Sequence, residues 1–172
     1  NNNLRIDGSS LKVSGTITTN LDPSLPPLEF NVNDFVIFKE NGIANEVLTQ
    51  TSPVSFLNTT LLPTYPLTFT YSVKSICLGD VGSMSVKGIQ YNNVKKTRIE
   101  IELKIITFVN GIEGVILQPQ KVIISDQYYA KNIGVIRANT VVEYNLAFAV
   151  SPDVPQHGKQ VINDYITSYL IN

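Results

Sequence analysis

The feature that most restricts this chain is an alternation of apolar and polar residues with a period of two. Leu67, Phe69, Tyr71 and Val73 alternate with Thr68, Thr70, Ser72 and Lys74. Ile99, Ile101, Leu103 and Ile105 alternate with Arg98, Glu100, Glu102 and Lys104. Successive side chains of a strand point to opposite faces, so such segments read as strands with one buried face. The composition agrees: Val, Ile, Thr, Tyr and Phe supply 66 of 172 residues, against 5 Ala. Residues that fit a pleated sheet dominate, and the best helix former is scarce. This argues against a helical bundle and against an α/β enzyme with several crossover helices. The length suits one domain with a real core. Residues 1–172 are expected to form a single all-β domain, with 1–10 a mobile polar lead-in.

The alternation and its interruptions place the elements. Leu11 to Thr19 reads as a strand, and the three prolines within 22–27 as a loop. The run Phe35 to Phe38 stops before Asn41-Gly42, a pair that favours a tight hairpin into Glu46 to Gln50. Residues 51–66, with Pro53, Pro63 and Pro66, read as an irregular excursion. Gly79 to Gly82 reads as a turn before a short strand at Met84 and Val86. Val94 to Val109 is the longest strand candidate, and Ile106 and Phe108 turn its polar side apolar, through a bulge or double coverage. Asn110-Gly111 supplies a hairpin turn into Val115 to Ser125, where Pro119 implies an edge or a bulge. Shorter strands follow at 133–136 and 140–150. After a loop at 151–158, a closing strand is expected over 161–171, with helix as the alternative there. Short connections imply a mostly antiparallel sheet. The expected fold is a single curved antiparallel meander or half-barrel, and the alternative is a two-sheet Greek-key β-sandwich.

Charge and motif content narrow the function classes. Charged residues make up 16% of the chain and the net charge is −1, so no basic surplus exists for nucleic acid. One Cys rules out an internal disulfide, and one His rules out a multi-His metal site. No apolar run of about 18 residues could make a membrane-spanning helix. His157 stands in a Pro- and Gly-bearing loop without a nucleophile motif, since Gly82-Ser83-Met84-Ser85-Val86 lacks the second Gly of an elbow. Cys77 follows an apolar neighbour and reads as a small buried residue. Glu100 and Glu102 share a strand face about 6 to 7 Å apart, near glycosidase carboxylate spacing. Arg98 and Lys104 on that face make a mixed-charge surface the simpler reading. Asp80, Asp126 and Asp153 form no calcium-loop pattern. Asn58-Thr59-Thr60 is a glycosylation sequon. No catalytic residue, metal or cofactor is assigned.

The aromatic residues Tyr65, Phe69, Tyr71, Tyr128, Tyr129, Tyr144 and Phe148 could line a concave sheet or stack on a sugar. Phe69, Tyr144 and Phe148 fall in the apolar phase of strands and are expected in the core. Tyr128 and Tyr129 are adjacent, so they point in opposite directions, and only one can be core on a one-sided sheet. Both are the candidate ligand-binding residues.

Two segments carry a family resemblance. Val86-Lys87-Gly88-Ile89-Gln90-Tyr91-Asn92-Asn93-Val94 is similar to a V-x-G-x-x-Y-x-N-V hairpin. Gln127-Tyr128-Tyr129-Ala130-Lys131-Asn132-Ile133-Gly134-Val135-Ile136-Arg137 resembles a Y-Y-A-x-G-I-G-x-V-K turn, with Asn132 in place of Gly and Arg137 in place of Lys. Tyr165 to Ile171 resembles the closing strand that follows. Together, over about residues 84–171, they resemble secreted and surface lipoprotein domains of Bacteroidetes. The resemblance implies a curved antiparallel sheet, export to the periplasm or outer-membrane surface, and no catalytic residues. A membrane would be reached only through an N-terminal lipid anchor that is not in this chain. The implied role is a non-enzymatic envelope binding or scaffold module, with a small hydrophobic or glycan ligand. A carrier of a lipid or other hydrophobic ligand in a concave pocket is the alternative, and a glycan-acting enzyme ranks below both.

Overall fold

The computed structural model describes residues 2–22, 27–58, 66–148 and 154–166. Tyr65, Asp153, Thr59 and Thr60 of the sequon, and the end of the expected closing strand lie outside the described residues. The elements are β1 (Asn3–Asp7), β2 (Ser10–Thr19), β3 (Leu28–Lys39), β4 (Val47–Gln50) and β5 (Val54–Asn58). They continue with β6 (Leu67–Val86), β7 (Ile89–Val109), β8 (Ile112–Ala130), β9 (Gly134–Asn145) and β10 (His157–Tyr165). The described residues contain no helix, and the strand pairs are antiparallel. One sheet has the order β1-β2-β3. The other runs β10-β9-β8-β7-β6-β4, with β5 also paired to β6, and neither closes into a barrel. The fold is therefore all-β and antiparallel, with β6 to β10 a meander. The second layer comes from β1 to β3, without a Greek-key return.

Left-handed turn residues hold the meander together. Lys87-Gly88 (φ 52 and 83) joins β6 to β7, and Asn110-Gly111 (φ 52 and 79) joins β7 to β8. Positive φ at both central positions gives a turn whose twist matches that of the strands. Asn132 takes φ 63 in the β8–β9 turn, so it does there what Gly would do.

The main core lies between the two sheets. Phe30 and Phe35 of β3 pack with Phe69, Tyr71, Ile101, Leu103, Leu117, Val142 and Tyr144 of the larger sheet. Three buried hydroxyls make polar ties across this core. Tyr71 Oη accepts from Asn31 N at 3.0 Å, Ser75 Oγ donates to Val36 O at 2.5 Å, and Tyr144 Oη donates to Asp22 Oδ2 at 3.2 Å. Each gives a buried hydroxyl a partner in the other layer, so apolar burial and hydrogen bonding select the same docking.

Several segments differ from the sequence reading, each for a local reason. Asn3–Asp7, inside the expected lead-in, forms β1 against β2, with all five residues exposed. The expected hairpin at Asn41-Gly42 does not form, and neither residue has positive φ. The chain instead crosses to the other sheet, where Glu46 O accepts from Cys77 N at 2.8 Å and Asn45 N donates to Cys77 O at 2.7 Å. The excursion at 51–66 contains β5, paired to Leu67–Tyr71. Pro53, which has no N–H to donate, separates β4 from β5 along one edge of β6.

Gly79 to Gly82 is not a turn. β6 runs through it with register shifts, and Gly79 (φ 97) and Gly82 (φ 81) absorb the bulges. At the far end of β7 the bulge reading holds: the register with β8 shifts around Ile105, and Phe108 is 52% exposed. Pro119 lies in the bulged stretch of β8 between Leu117 and Gln120. The segments at 133–136 and 140–150 join into one strand, β9, which ends at Asn145. Beyond it Leu146 N still bonds Gln156 O and Ala147 N bonds Ile116 O, but the chain bends at 147–148 and the regular strand is over. Phe148 consequently lies 47% exposed and is not core. His157 and Gly158 belong to β10 rather than to a loop.

A second, smaller core lies at the hairpin end of the large sheet. Its buried members are Val86, Tyr91, Val94, Ala130 and Ile136, with Tyr128, Ile133 and Ile166 packed against it. All five buried members belong to the two motif segments, whose side chains meet here.

Candidate binding face

Register settles which way each candidate points. In the β7–β8 ladder Lys96 pairs with Tyr128, Thr97 with Gln127, Arg98 with Asp126 and Glu100 with Ile124. Ile99, Ile101 and Leu103 face the three-stranded sheet and belong to the main core. The even-numbered residues Lys96, Arg98 and Glu100, with their partners, therefore form the opposite, outward face.

Tyr129 and Tyr128 divide between the faces. Tyr129 is 2% exposed, stacks on Phe38 of β3 (centroids 4.6 Å apart) and donates to Gln127 Oε1 at 2.5 Å. Burial pushes its phenol well above the ordinary value. It is a core residue. Tyr128 faces outward, half-buried, in a row set by register across four strands: Lys96 of β7, Tyr128 of β8, Arg137 of β9 and Tyr165 of β10. Cation and aromatic alternate along this row. Lys96 Nζ lies 5.3 Å from the Tyr128 centroid, and Arg137 Cζ lies 5.7 Å from the centroids of both Tyr128 and Tyr165. Lys87, from the β6–β7 turn, closes the row with Nζ 4.8 Å from the Tyr165 centroid. These separations lie within cation–π range.

The next row runs Arg98, Asp126, Asn139 and Asn163. Arg98 grips Asp126 through two bonds, Nε to Oδ1 at 2.6 Å and Nη2 to Oδ2 at 3.0 Å, and Lys96 Nζ approaches Oδ2 at 2.7 Å. Burial alone would raise the Asp126 carboxyl, but the bonds from Arg98 and Lys96 outweigh it and hold the carboxyl below its usual range. Arg137 Nε donates to Asn139 Oδ1 at 2.8 Å, which fixes the guanidinium between the two rings.

The remaining candidates are placed as follows. Glu100 and Glu102 share the outward face. Glu100 is buried and paired with Lys121 at 2.9 Å, whereas Glu102 is exposed. Further along, Lys121, Ile124, Val141, Glu143 and His157 line a shallow recess of about 240 Å³. His157 Nε2 lies 4.0 Å from Glu143 Oε1 there, and Lys159 bonds the same carboxylate at 2.8 Å. Cys77 is fully buried under Gly42. Asp80 is 80% exposed and ion-paired to Lys95 at 3.4 Å. Phe69, Tyr71 and Tyr144 are core residues. Among the described residues no group of three His, Cys, Asp or Glu could hold a metal ion.

Sequence reasoning found Tyr128 but not its neighbours Lys96, Arg137, Tyr165 and Lys87. The signal that joins them is register, and the ten residues from Tyr128 to Arg137 carry part of it as one hairpin. No protein-family model, curated protein or solved structure matches this chain.

Proposed function

We propose that this chain is a non-enzymatic binding module of the cell envelope, part of an exported lipoprotein, and that it binds a glycan on its outward face. The observation that carries the reading is the row Lys96, Tyr128, Arg137 and Tyr165, on the face turned away from the main core. Two tyrosine rings held by a fixed guanidinium offer flat apolar surface edged by donors, which suits the faces and hydroxyls of a sugar ring. The motif segments support the envelope assignment by their resemblance to surface lipoprotein domains. The alternative of an enclosed hydrophobic ligand draws no comparable support, since Tyr129 packs inward against Phe38.

The test is binding of the purified chain to a glycan panel, followed by titration calorimetry on the best ligand. Tyr128→Ala is expected to weaken binding at least fivefold while the melting temperature changes by a few degrees or less. Absence of glycan binding, or wild-type affinity in the variant, overturns the reading. Labelled fatty acid should enter the full-length product, and a product without lipid overturns the anchor.

A further inference from the structure

We infer that the ligand of this face is an anionic saccharide, and that its carboxylate or sulfate sits on Arg137 and Lys87 beside the Tyr165 ring. The inference rests on the glycan-binding reading and adds the charge of the ligand. It follows from how charge is distributed over the two adjacent rows. The chain as a whole carries a net charge of −1. Yet Lys87, Lys96, Arg98 and Arg137 gather at one end of the outward face, and among the described residues of these two rows the single carboxylate is Asp126. That carboxylate is consumed by Arg98 and Lys96. The nearest further acid along β7, Glu100, is taken by Lys121. Among the described residues, Arg137 and Lys87 have no carboxylate partner.

The geometry matches the charge. Asn139 uses only the Nε–H of Arg137, so the outer edge of the guanidinium keeps donors for an oxyanion. Lys87 is held at φ 52 by the β6–β7 turn and brings its ammonium to the same Tyr165 ring, Nζ 4.8 Å from the centroid against 5.7 Å for Arg137 Cζ. An oxyanion between these two cations would place its sugar ring against Tyr165 or Tyr128. A neutral sugar would leave two cations desolvated without compensation, which is costly. The row therefore selects for charge as well as shape.

The test compares galacturonate oligosaccharides with the same oligosaccharides methyl-esterified, and adds a chondroitin sulfate oligosaccharide to separate carboxylate from sulfate. At least tenfold tighter binding of an anionic form than of the ester supports the inference, with affinity falling as salt rises. Arg137→Gln and Lys87→Gln should each abolish most of that preference. Lys87 lies in an exposed turn and has no ion pair among the described residues, so its variant keeps the test valid should Arg137→Gln fail to fold. Lys104→Gln, far along the sheet, should bind like wild type. Equal binding of the acid and the ester overturns the inference and leaves the glycan-binding reading standing. Binding to vesicles containing phosphatidylglycerol but to no saccharide overturns both.

Discussion

On the inward side of β7, Ile101 and Leu103 are fully buried between the sheets. On its outward side Glu102 is exposed, and Glu100 is held by a lysine from the neighbouring strand. The two sets alternate along one strand, yet different things decide where their side chains sit. An inward side chain is positioned by the layer that covers it, so its contacts come from residues far away in sequence. An outward side chain is positioned by its cross-strand neighbours, so its contacts follow from register alone. The comparison implies that substitutions on the outward face can leave the core beneath it undisturbed.

The sharpest way to test that separation is Leu103→Ala beside Lys104→Ala. Leu103→Ala should cost about 2–5 kcal/mol in denaturant unfolding, through lost burial and the cavity left behind. Lys104→Ala should cost no more than about 0.5 kcal/mol, since its half-exposed side chain makes only a surface ion pair with Glu113 at 3.4 Å. Similar losses would show that the outward face is also packed. A smaller effect is expected at Gly158, which pairs with Tyr144 across β9 and β10. A Cβ there would lie 2.6 Å from Tyr144 Cζ, and Tyr144 is itself 1% exposed. Gly158→Ala should therefore cost about 1–3 kcal/mol by overpacking, measured by thermal melting. Wild-type stability would mean that the ring can swing aside. The smallest effect is at Thr97, whose buried hydroxyl has no hydrogen-bond partner among the described residues. Thr97→Val should leave stability unchanged or raise it by up to about 1 kcal/mol. A loss would reveal a bond to the Tyr129 hydroxyl.

Most strands were legible because one covered face imposes strict alternation. Where alternation failed, a bulge or a change of layer was responsible. In β3, Leu28, Phe30 and Val32 are buried in one phase and Phe35 and Ile37 in the other. The extra residue lies at Asn33-Asp34, where Asp34 takes φ 53 and the register with β2 shifts. The pattern resets there, so only the second half of the strand stood out. Asn41-Gly42 misled because turn preference is local, whereas the crossover is fixed by bonds to Cys77, some 35 residues on. Phe148 kept the apolar phase of β9 after the ladder had ended. For the site, one aromatic was visible in sequence, but its companions required the pairing of four strands.

The burial of Cys77 also has a consequence for how the molecule opens. A Cβ on Gly42 would approach Cys77 Sγ to 3.1 Å, so the crossover segment lies directly over the thiol. The same segment is fastened to the β6 edge by the backbone bonds on either side of Cys77. A thiol reagent can reach the sulfur only when that clasp lifts. The rate at which this lone cysteine is alkylated therefore clocks the breathing of the joint between the two sheets, and needs no engineered label to do so.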